Sequence, residues 1–286
     1  MRLSCSDYTW PLLSHSGALD LIRALGCDGV DIGFMGQRSH VRPEEVHGAV
    51  ALAAGAVRER VESRGLVVAD VFAIPFTDFE TMSANHPDPA QQTRSLEFFA
   101  DAVEFAASVG SPGVTTLPGV LFPGDTFDEA LQRSADGLRR RVELAASRGL
   151  AASVEPHTGS LIDTPEKTLA LLDRVPGLQI TLDYAHYVFG GAEQSDIDQM
   201  LPHARHLQCR PGRHGALQVP VSEDAIDWPS VVAQLNAAAY TGWLALEYTW
   251  QEWLGCNRVD TVAESALLRD ILQRADEASR PTAALR

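Results

Sequence analysis

The sequence predicts an α/β protein built as a single (β/α)8 TIM barrel, and three observations point to this fold. Short apolar runs typical of strands alternate with segments of helical periodicity along nearly the whole chain. The alternation gives eight strands and eight helices, and such a barrel needs roughly 250 residues. Glycines follow helical runs just before a strand, where a helix C-terminus favours positive φ: Gly26, Gly65, Gly110 and Gly149.

The eight strands are predicted from runs rich in valine, isoleucine and leucine that end at turn residues. In order they are Leu3–Ser6, Gly29–Phe34, Val67–Ile74, Gly113–Leu117, Ala152–His157, Gln179–Ala185, His203–Cys209 and Trp243–Tyr248. An open doubly wound sheet is the competing architecture. It would predict a glycine-rich first turn for a nucleotide, and the sequence has none.

The helices are predicted from 3.6-residue periodicity in the segments between the strands. In order they are Gly17–Leu25, Pro43–Arg64, Gln91–Val109, Phe127–Ser147, Pro165–Arg174, Asp196–Leu201, Trp228–Ala239 and Val259–Ala275. Prolines fit the first turns of three of these helices, and Thr164 is a suitable N-cap before Pro165. We expect one barrel over residues 1–278 and a disordered tail over residues 279–286.

The composition bounds the class of function. Of the 286 residues, 45% are hydrophobic and 21% are charged, and the net charge is −15. This acidic balance argues against nucleic-acid binding, which depends on basic side chains against phosphates. No apolar run approaches the roughly 18 residues of a membrane span, no secretory signal is evident, and the four cysteines show no CxxC spacing. We therefore expect a cytoplasmic protein that binds neither nucleic acid nor membranes.

Four polar residues occur late in the last four predicted strands: Glu155, Asp183, Gln208 and Glu247. Because side chains alternate between the two faces of a strand, each of them falls on the face opposite the strand's leucines, isoleucine or valine. In a barrel that polar face points inward, and the C-terminal strand ends form the active-site mouth. The pattern therefore predicts that these four side chains meet at one end of the barrel.

Three carboxylates and one amide oxygen form a hard ligand set. Buried groups of this kind are costly unless they are paired or bind a metal. Any one of them alone would be read as a buried residue hydrogen-bonded to its neighbours, but four in matched positions favour one shared cation. Oxygen ligands suit Mn²⁺, Mg²⁺ or Co²⁺ better than they suit zinc, and of these ions we expect Mn²⁺.

At these residues the chain resembles the sugar-phosphate isomerase/epimerase superfamily, whose members have a xylose-isomerase-like barrel. The resemblance extends from the first strand to the last helix. In that family a Glu, an Asp, a His or Gln and a second Glu close strands five to eight and bind one divalent metal, and Glu155, Asp183, Gln208 and Glu247 match this order. The Asp-x-x-His signature of strand six appears as Asp183-Tyr-Ala-His186.

The seventh strand distinguishes branches of this family. Gln208 followed by a Pro-Gly-Arg-His stretch resembles hydroxypyruvate-isomerase-like members, whereas ketose 3-epimerases carry a His ligand there. The sequence after His214 departs from the acidic, glycine-rich continuation of that branch. The resemblance implies a small sugar or hydroxy-carbonyl substrate and allows a homodimer or homotetramer.

The residues suggest a mechanism in which Glu155 and Glu247 act as a catalytic acid/base pair on an enediolate as well as being ligands. Further substrate contacts are expected from His186, His157, Arg213 and Arg210, the arginines through a phosphate or carboxylate. His206, one layer deeper than Gln208, is expected to be a buried hydrogen-bonded histidine. A dehydratase or lyase on the same barrel is the alternative, ahead of an endonuclease-IV-like phosphodiesterase or a non-catalytic binding barrel.

Overall fold

The computed structural model describes residues 1–280 and forms a closed barrel of eight parallel strands. Each strand pairs with the next one in sequence, and β8 closes the barrel on β1. The strands are β1 Leu3–Ser6, β2 Gly29–Met35, β3 Val67–Ile74, β4 Gly113–Thr116, β5 Ala151–Val154, β6 Gln179–Asp183, β7 Ala204–Cys209 and β8 Trp243–Leu246. The predicted (β/α)8 fold and all eight predicted strands are confirmed.

The helices lie between consecutive strands in sequence, except α10, which follows β8. They are α1 His15–Ala24, α2 Pro43–Val46, α3 Val50–Glu62, α4 Pro89–Val109, α5 Phe127–Ala146, α6 Pro165–Leu172, α7 Tyr184–Phe189, α8 Gln194–Ile197, α9 Trp228–Ala237 and α10 Thr261–Ser279. Side chains cap several N-termini, such as Thr164, whose hydroxyl accepts from the backbone N–H of Lys167. These caps satisfy backbone N–H groups that have no partner within the helix.

Four predicted strands, β4, β5, β6 and β8, end earlier than expected at the mouth of the barrel, and the ends of β5 and β6 have a clear cause. β5 ends at Val154 because Pro156 cannot donate to the strand ladder, although Glu155 N still donates to the Thr116 carbonyl oxygen at 3.0 Å. β6 ends at Asp183, whose carboxylate accepts from Ala185 N at 2.8 Å and so begins α7. Ala185 and His186 therefore lie on a short helix and not in a strand or a loop.

Three helix predictions are corrected. The helix predicted over Pro43–Arg64 is two helices, α2 and α3, separated by Gly48 in the left-handed region at φ +78°. The helix predicted over Asp196–Leu201 is α8 followed by a 3-10 turn over Asp198–His203 that contains Pro202. Ser279, expected in the disordered tail, is the last residue of α10, and residues 281–286 of that tail lie outside the described residues.

The hydrophobic core lies between the barrel and the surrounding helices. Phe34 of β2 packs on Phe105 of α4 with ring centroids 5.3 Å apart, and both are fully buried. Burying such a side chain contributes about 1.5–3 kcal/mol to the free energy of unfolding. This packing holds α4 against β2 on the outside of the barrel.

The inside of the barrel is polar below its mouth. Arg205 of β7 donates to Ser153 Oγ at 2.6 Å and to Asp70 Oδ1 at 2.7 Å, which joins strands β3, β5 and β7. His206 Nε2 lies 2.6 Å from Asp31 Oδ2, so His206 is the buried, hydrogen-bonded histidine that the sequence predicts. Burial alone would lower the pKa of His206, but the carboxylate of Asp31 outweighs it and the pKa is raised.

Within residues 1–280, no helix is long and apolar enough to cross a membrane.

Candidate metal and substrate site

The four polar residues predicted from the strand pattern come together at the C-terminal end of the barrel. Glu155 directly follows β5, Asp183 ends β6, Gln208 lies in β7 and Glu247 directly follows β8. All four are at most 3% exposed. The register pairs Asp183 with Gln208 across β6 and β7, so those two side chains leave adjacent strands at the same level.

The three carboxylates are close enough to share one ion. One oxygen each of Glu155, Asp183 and Glu247 lies within 4.8 Å of the other two. Gln208 Nε2 donates to Glu247 Oε1 at 2.9 Å, which places the amide against the same group. Gln208 Oε1 and Glu247 Oε2 are buried and have no hydrogen-bond partner among the described residues. Buried oxygens without partners are costly, and a cation would satisfy both.

The electrostatics of the cluster favour a bound cation. Burial raises the pKa of Glu155 well above its ordinary value, and the carboxylate of Asp183 raises it further. Burial likewise raises the pKa of Glu247, although the guanidinium of Arg210 opposes this shift. Arg210 contacts Asp183 and lies near Glu247, but it supplies one positive charge against three carboxylates, and like charges this close destabilise one another unless further positive charge balances them. The oxygen set therefore fits a hard divalent cation held by Glu155, Asp183, Gln208 and Glu247.

Histidines offer a second set of ligand atoms beside the first. One atom each of Glu155, His157 and His186 lies within 4.8 Å of the other two. His186 Nε2 is 3.5 Å from Glu155 Oε1 and 3.7 Å from Asp183 Oδ2. Burial lowers the pKa of His186 to about 3, so its imidazole is neutral and can hydrogen-bond a substrate hydroxyl.

The predicted contact His157 lies against an aromatic wall. Its ring stacks on Trp253 at 5.1 Å between centroids and meets Phe79 edge-on at 4.8 Å. Its Nδ1 lies 2.7 Å from the carbonyl oxygen of Thr158, a partner that only a protonated Nδ1 can satisfy. Burial lowers the pKa of His157 well below its ordinary value, so the neutral ring presents Nε2 as an acceptor.

The two predicted arginine contacts lie in different environments. Arg210 lines the pocket that lies above the carboxylate cluster. Its guanidinium, however, already donates to Asp183 and lies 3.5 Å from Glu247 Oε2. The side chain of Arg213 is 49% exposed, faces Glu223 at 3.4 Å and lies outside this pocket. The chain turns back after Pro211 and Gly212 and pairs Arg213 with Ala216, which directs Arg213 to the surface. Of the two arginines expected to contact the substrate, the structure places Arg210 in the pocket and Arg213 outside it.

Tyr8 belongs to this cluster, although no pattern of strand alternation in the sequence indicates it. Its hydroxyl donates to Glu247 Oε1 at 2.8 Å and accepts from Gln208 Nε2 at 3.0 Å, so it orients two members of the cluster. Tyr8 lies in a 3-10 turn directly after β1. Its position after a barrel strand is the one signal in the sequence that could have identified it.

The pocket above the cluster is small and half enclosed. The space in it that is open to water is about 50 Å³, and a water-sized group needs roughly 10–15 Å³ of such space. Its remaining walls are mostly apolar, from Met35, Phe72, Ile74, Phe79 and Trp253, and Arg38 and Gln251 add polar groups. The arrangement suits a short substrate with one end on the carboxylate cluster.

Comparison with known proteins agrees with this geometry. A family model described as a xylose isomerase-like TIM barrel matches residues 19–271. A 2-oxo-tetronate isomerase of Pectobacterium atrosepticum is 30% identical over 160 residues, which cover 52% of this chain and 58% of that protein. A putative L-ribulose-5-phosphate 3-epimerase of Shigella dysenteriae is 24% identical over 187 residues, 64% of each chain. The chain thus spans less than two thirds of the length of these relatives.

A solved structure of an L-ribulose 3-epimerase is similar over nearly the whole chain. The TM-score is 0.77 at 16% identity, covering 98% of this chain and 95% of that one. At this identity the similarity shows the fold alone.

Proposed function

The chain belongs to the xylose isomerase-like TIM-barrel family, and from this premise we propose that it is a divalent-metal-dependent isomerase or epimerase of a small hydroxy-carbonyl compound. The observation that carries the proposal is the cluster of three buried carboxylates with the amide of Gln208 at the barrel mouth. Mn²⁺ is the proposed ion, with Mg²⁺ or Co²⁺ as alternatives. The names of the two curated relatives, an isomerase and an epimerase, support the same reaction class.

The proposed chemistry is proton transfer next to a carbonyl. A divalent cation held by the four side chains would polarise the carbonyl and the hydroxyl oxygen on the neighbouring carbon. This would acidify the proton bound to that neighbouring carbon. Glu155 and Glu247 follow strands β5 and β8, three strands apart around the barrel, and therefore approach the substrate from different directions. We assign one of them to remove the proton and the other to return it.

Neutral hydrogen-bond groups in the pocket would orient the substrate. His186 and His157 have lowered pKa values because they are buried, so they offer uncharged donors and acceptors to hydroxyl groups. The aromatic wall of Phe79 and Trp253 excludes water from one side of the pocket. Excluding water strengthens the electrostatic interactions on which proton abstraction depends.

The direct test is exchange of the carbon-bound proton. The Mn²⁺-loaded protein is incubated in D₂O with three- to six-carbon ketoses and 2-keto acids, and the products are analysed by NMR and mass spectrometry. We expect metal-dependent deuterium incorporation at the carbon next to the carbonyl, with the carbon skeleton and its oxygens conserved. Loss of water would instead identify a dehydratase, and no exchange with any substrate would refute the proposal.

Substitution of the two glutamates tests their assigned roles. Glu155→Gln and Glu247→Gln each remove a proton-transfer group of nearly unchanged size, so we expect turnover to fall by at least about 100-fold. Glu223→Gln is the matched control, because Glu223 is exposed and lies outside the pocket. Thermal unfolding confirms that each variant is folded. Full activity in either glutamate variant would refute the acid/base assignment.

A further inference from the structure

Arg38 is a half-buried cation in the wall of the same pocket. Its guanidinium donates a hydrogen bond to Oε1 of Gln251, and this is its only side-chain hydrogen bond among residues 1–280. No carboxylate among those residues lies within 4.0 Å of it. Burial lowers the pKa of Arg38, although Tyr8 and Glu247 oppose the shift. A partly desolvated guanidinium without an adjacent counterion is costly, and an anion from solution would relieve that cost.

The backbone that carries Arg38 is held in place by a compact turn after β2. The hydroxyl of Ser39, a residue only 4% exposed, accepts from Met35 N at 2.9 Å and donates to the Val41 carbonyl oxygen at 2.5 Å. Phe34 and Val41 pair across the turn as a β-bridge. The turn therefore presents Arg38 at the mouth of the barrel from a fixed position.

The other arginines near the mouth cannot serve an incoming anion in the same way. Arg210 already contacts the carboxylates of Asp183 and Glu247. Arg213 is exposed and faces Glu223 outside the pocket. Arg38 thus combines a position in the pocket with a positive charge that no adjacent carboxylate neutralises.

We propose that Arg38, supported by Gln251, forms an anion subsite, so that the substrate carries a carboxylate or a phosphate at the end away from the carboxylate cluster. The proposal rests on the proposed function, because it takes the reacting end of the substrate to lie on that cluster. Arginine suits this role because its planar donors hydrogen-bond an anion in pairs. The apolar side chains Met35, Phe72 and Ile74 line the same pocket and would strengthen such a contact by keeping water away.

Binding of unreactive polyols tests the subsite separately from catalysis. Erythritol, erythronate and erythritol 4-phosphate share a four-carbon chain and differ in the terminal group, and their affinities for the Mn²⁺-loaded protein are measured by calorimetry. We expect the wild-type protein to bind at least one anionic polyol about tenfold or more tightly than erythritol. The tighter of the two distinguishes a carboxylate site from a phosphate site.

Three variants assign the preference to its residue. Arg38→Met should abolish the preference for the anionic polyol and leave erythritol binding unchanged, and Arg38→Lys should retain part of the preference. Arg213→Met, which also removes one arginine charge, should bind all three ligands as the wild type does. Thermal unfolding shows whether each variant is folded, and the lysine variant provides the test if Arg38→Met does not fold.

Two results would overturn the proposal. The first is that erythritol binds the wild-type protein as tightly as both anionic polyols do. The second is that the preference for the anionic polyol persists in Arg38→Met, which would place the anion elsewhere, for instance on the metal. The isomerase proposal can fail independently: an Arg38-dependent preference without any deuterium exchange would support the anion subsite and refute the assigned reaction.

Discussion

Glu247 is held by more specific contacts than its position after β8 would suggest. Its Oε1 accepts from Tyr8 at 2.8 Å and from Gln208 Nε2 at 2.9 Å, while its Oε2 has no hydrogen-bond partner among residues 1–280 and lies 3.5 Å from the Arg210 guanidinium. One oxygen is therefore oriented by the protein and the other is directed into the cluster. This division explains how one side chain could serve both as a ligand and as a proton-transfer group.

Removing the tyrosine hydroxyl tests this orientation. In Tyr8→Phe the carboxylate of Glu247 loses one donor and Gln208 Nε2 loses one acceptor, so we expect turnover to fall about 10- to 100-fold, the usual cost of losing a group that orients a metal ligand. Steady-state kinetics of the exchange reaction and Mn²⁺ titration measure the effect. Tyr240→Phe is the matched control, because its hydroxyl bonds to the Arg205 carbonyl oxygen at 2.8 Å outside the pocket. Equal activities of both variants would contradict the orienting role.

Strand alternation reveals some site residues and not others. Side chains alternate along regular strands, and the C-terminal strand ends of a barrel meet at its mouth. Together these two regularities predict that four side chains lie close together: Glu155, Asp183, Gln208 and Glu247. Tyr8 and Arg38 lie in turns after β1 and β2, where no periodicity defines the direction of a side chain. Arg213 likewise follows a turn, at Pro211 and Gly212, and no periodicity in the sequence indicates that its side chain faces the solvent.

At the scale of elements, the break between α2 and α3 shows where periodicity misleads. The residues between Pro43 and Arg64 are rich in alanine and fit one long helix, and a single glycine at position 48 does not interrupt that periodicity. In the structure Gly48 adopts φ +78°, which favours glycine because it lacks a Cβ atom. The effect is one of backbone conformation alone, since a Cβ at Gly48 would meet no atom within 4 Å.

The same substitution at two glycines should therefore have opposite effects. Gly48→Ala strains the left-handed backbone and should lower the free energy of unfolding by about 1 kcal/mol. Gly55→Ala lies within α3, where a Cβ also meets nothing, and should raise it by about 0.5–1 kcal/mol. Urea unfolding of both variants and the wild type measures the difference. Stabilisation by Gly48→Ala would contradict the observed break between the helices.

At the scale of the whole molecule, the fold class and the family were both predictable from sequence, and both are confirmed. Eight strands that alternate with eight helices leave few architectures, and the lack of a glycine-rich first turn favours the closed barrel over a doubly wound sheet. The interior contacts were not predictable in the same way. The bond from Arg205 to Asp70 joins residues 135 positions apart, and no local pattern in the sequence indicates it.

Closure of the barrel is what brings the four side chains to one place, so cation binding tests the central claim most directly. Equilibrium dialysis against Mn²⁺ should give one ion per wild-type chain. Asp183→Asn keeps the oxygen that caps α7 but loses the charge, and should bind at least about tenfold more weakly. Glu223→Gln, which changes an exposed carboxylate outside the pocket, should bind one ion as the wild type does. A wild-type chain that binds no Mn²⁺, Mg²⁺ or Co²⁺, or an Asp183→Asn variant that binds Mn²⁺ with unchanged affinity, would contradict it.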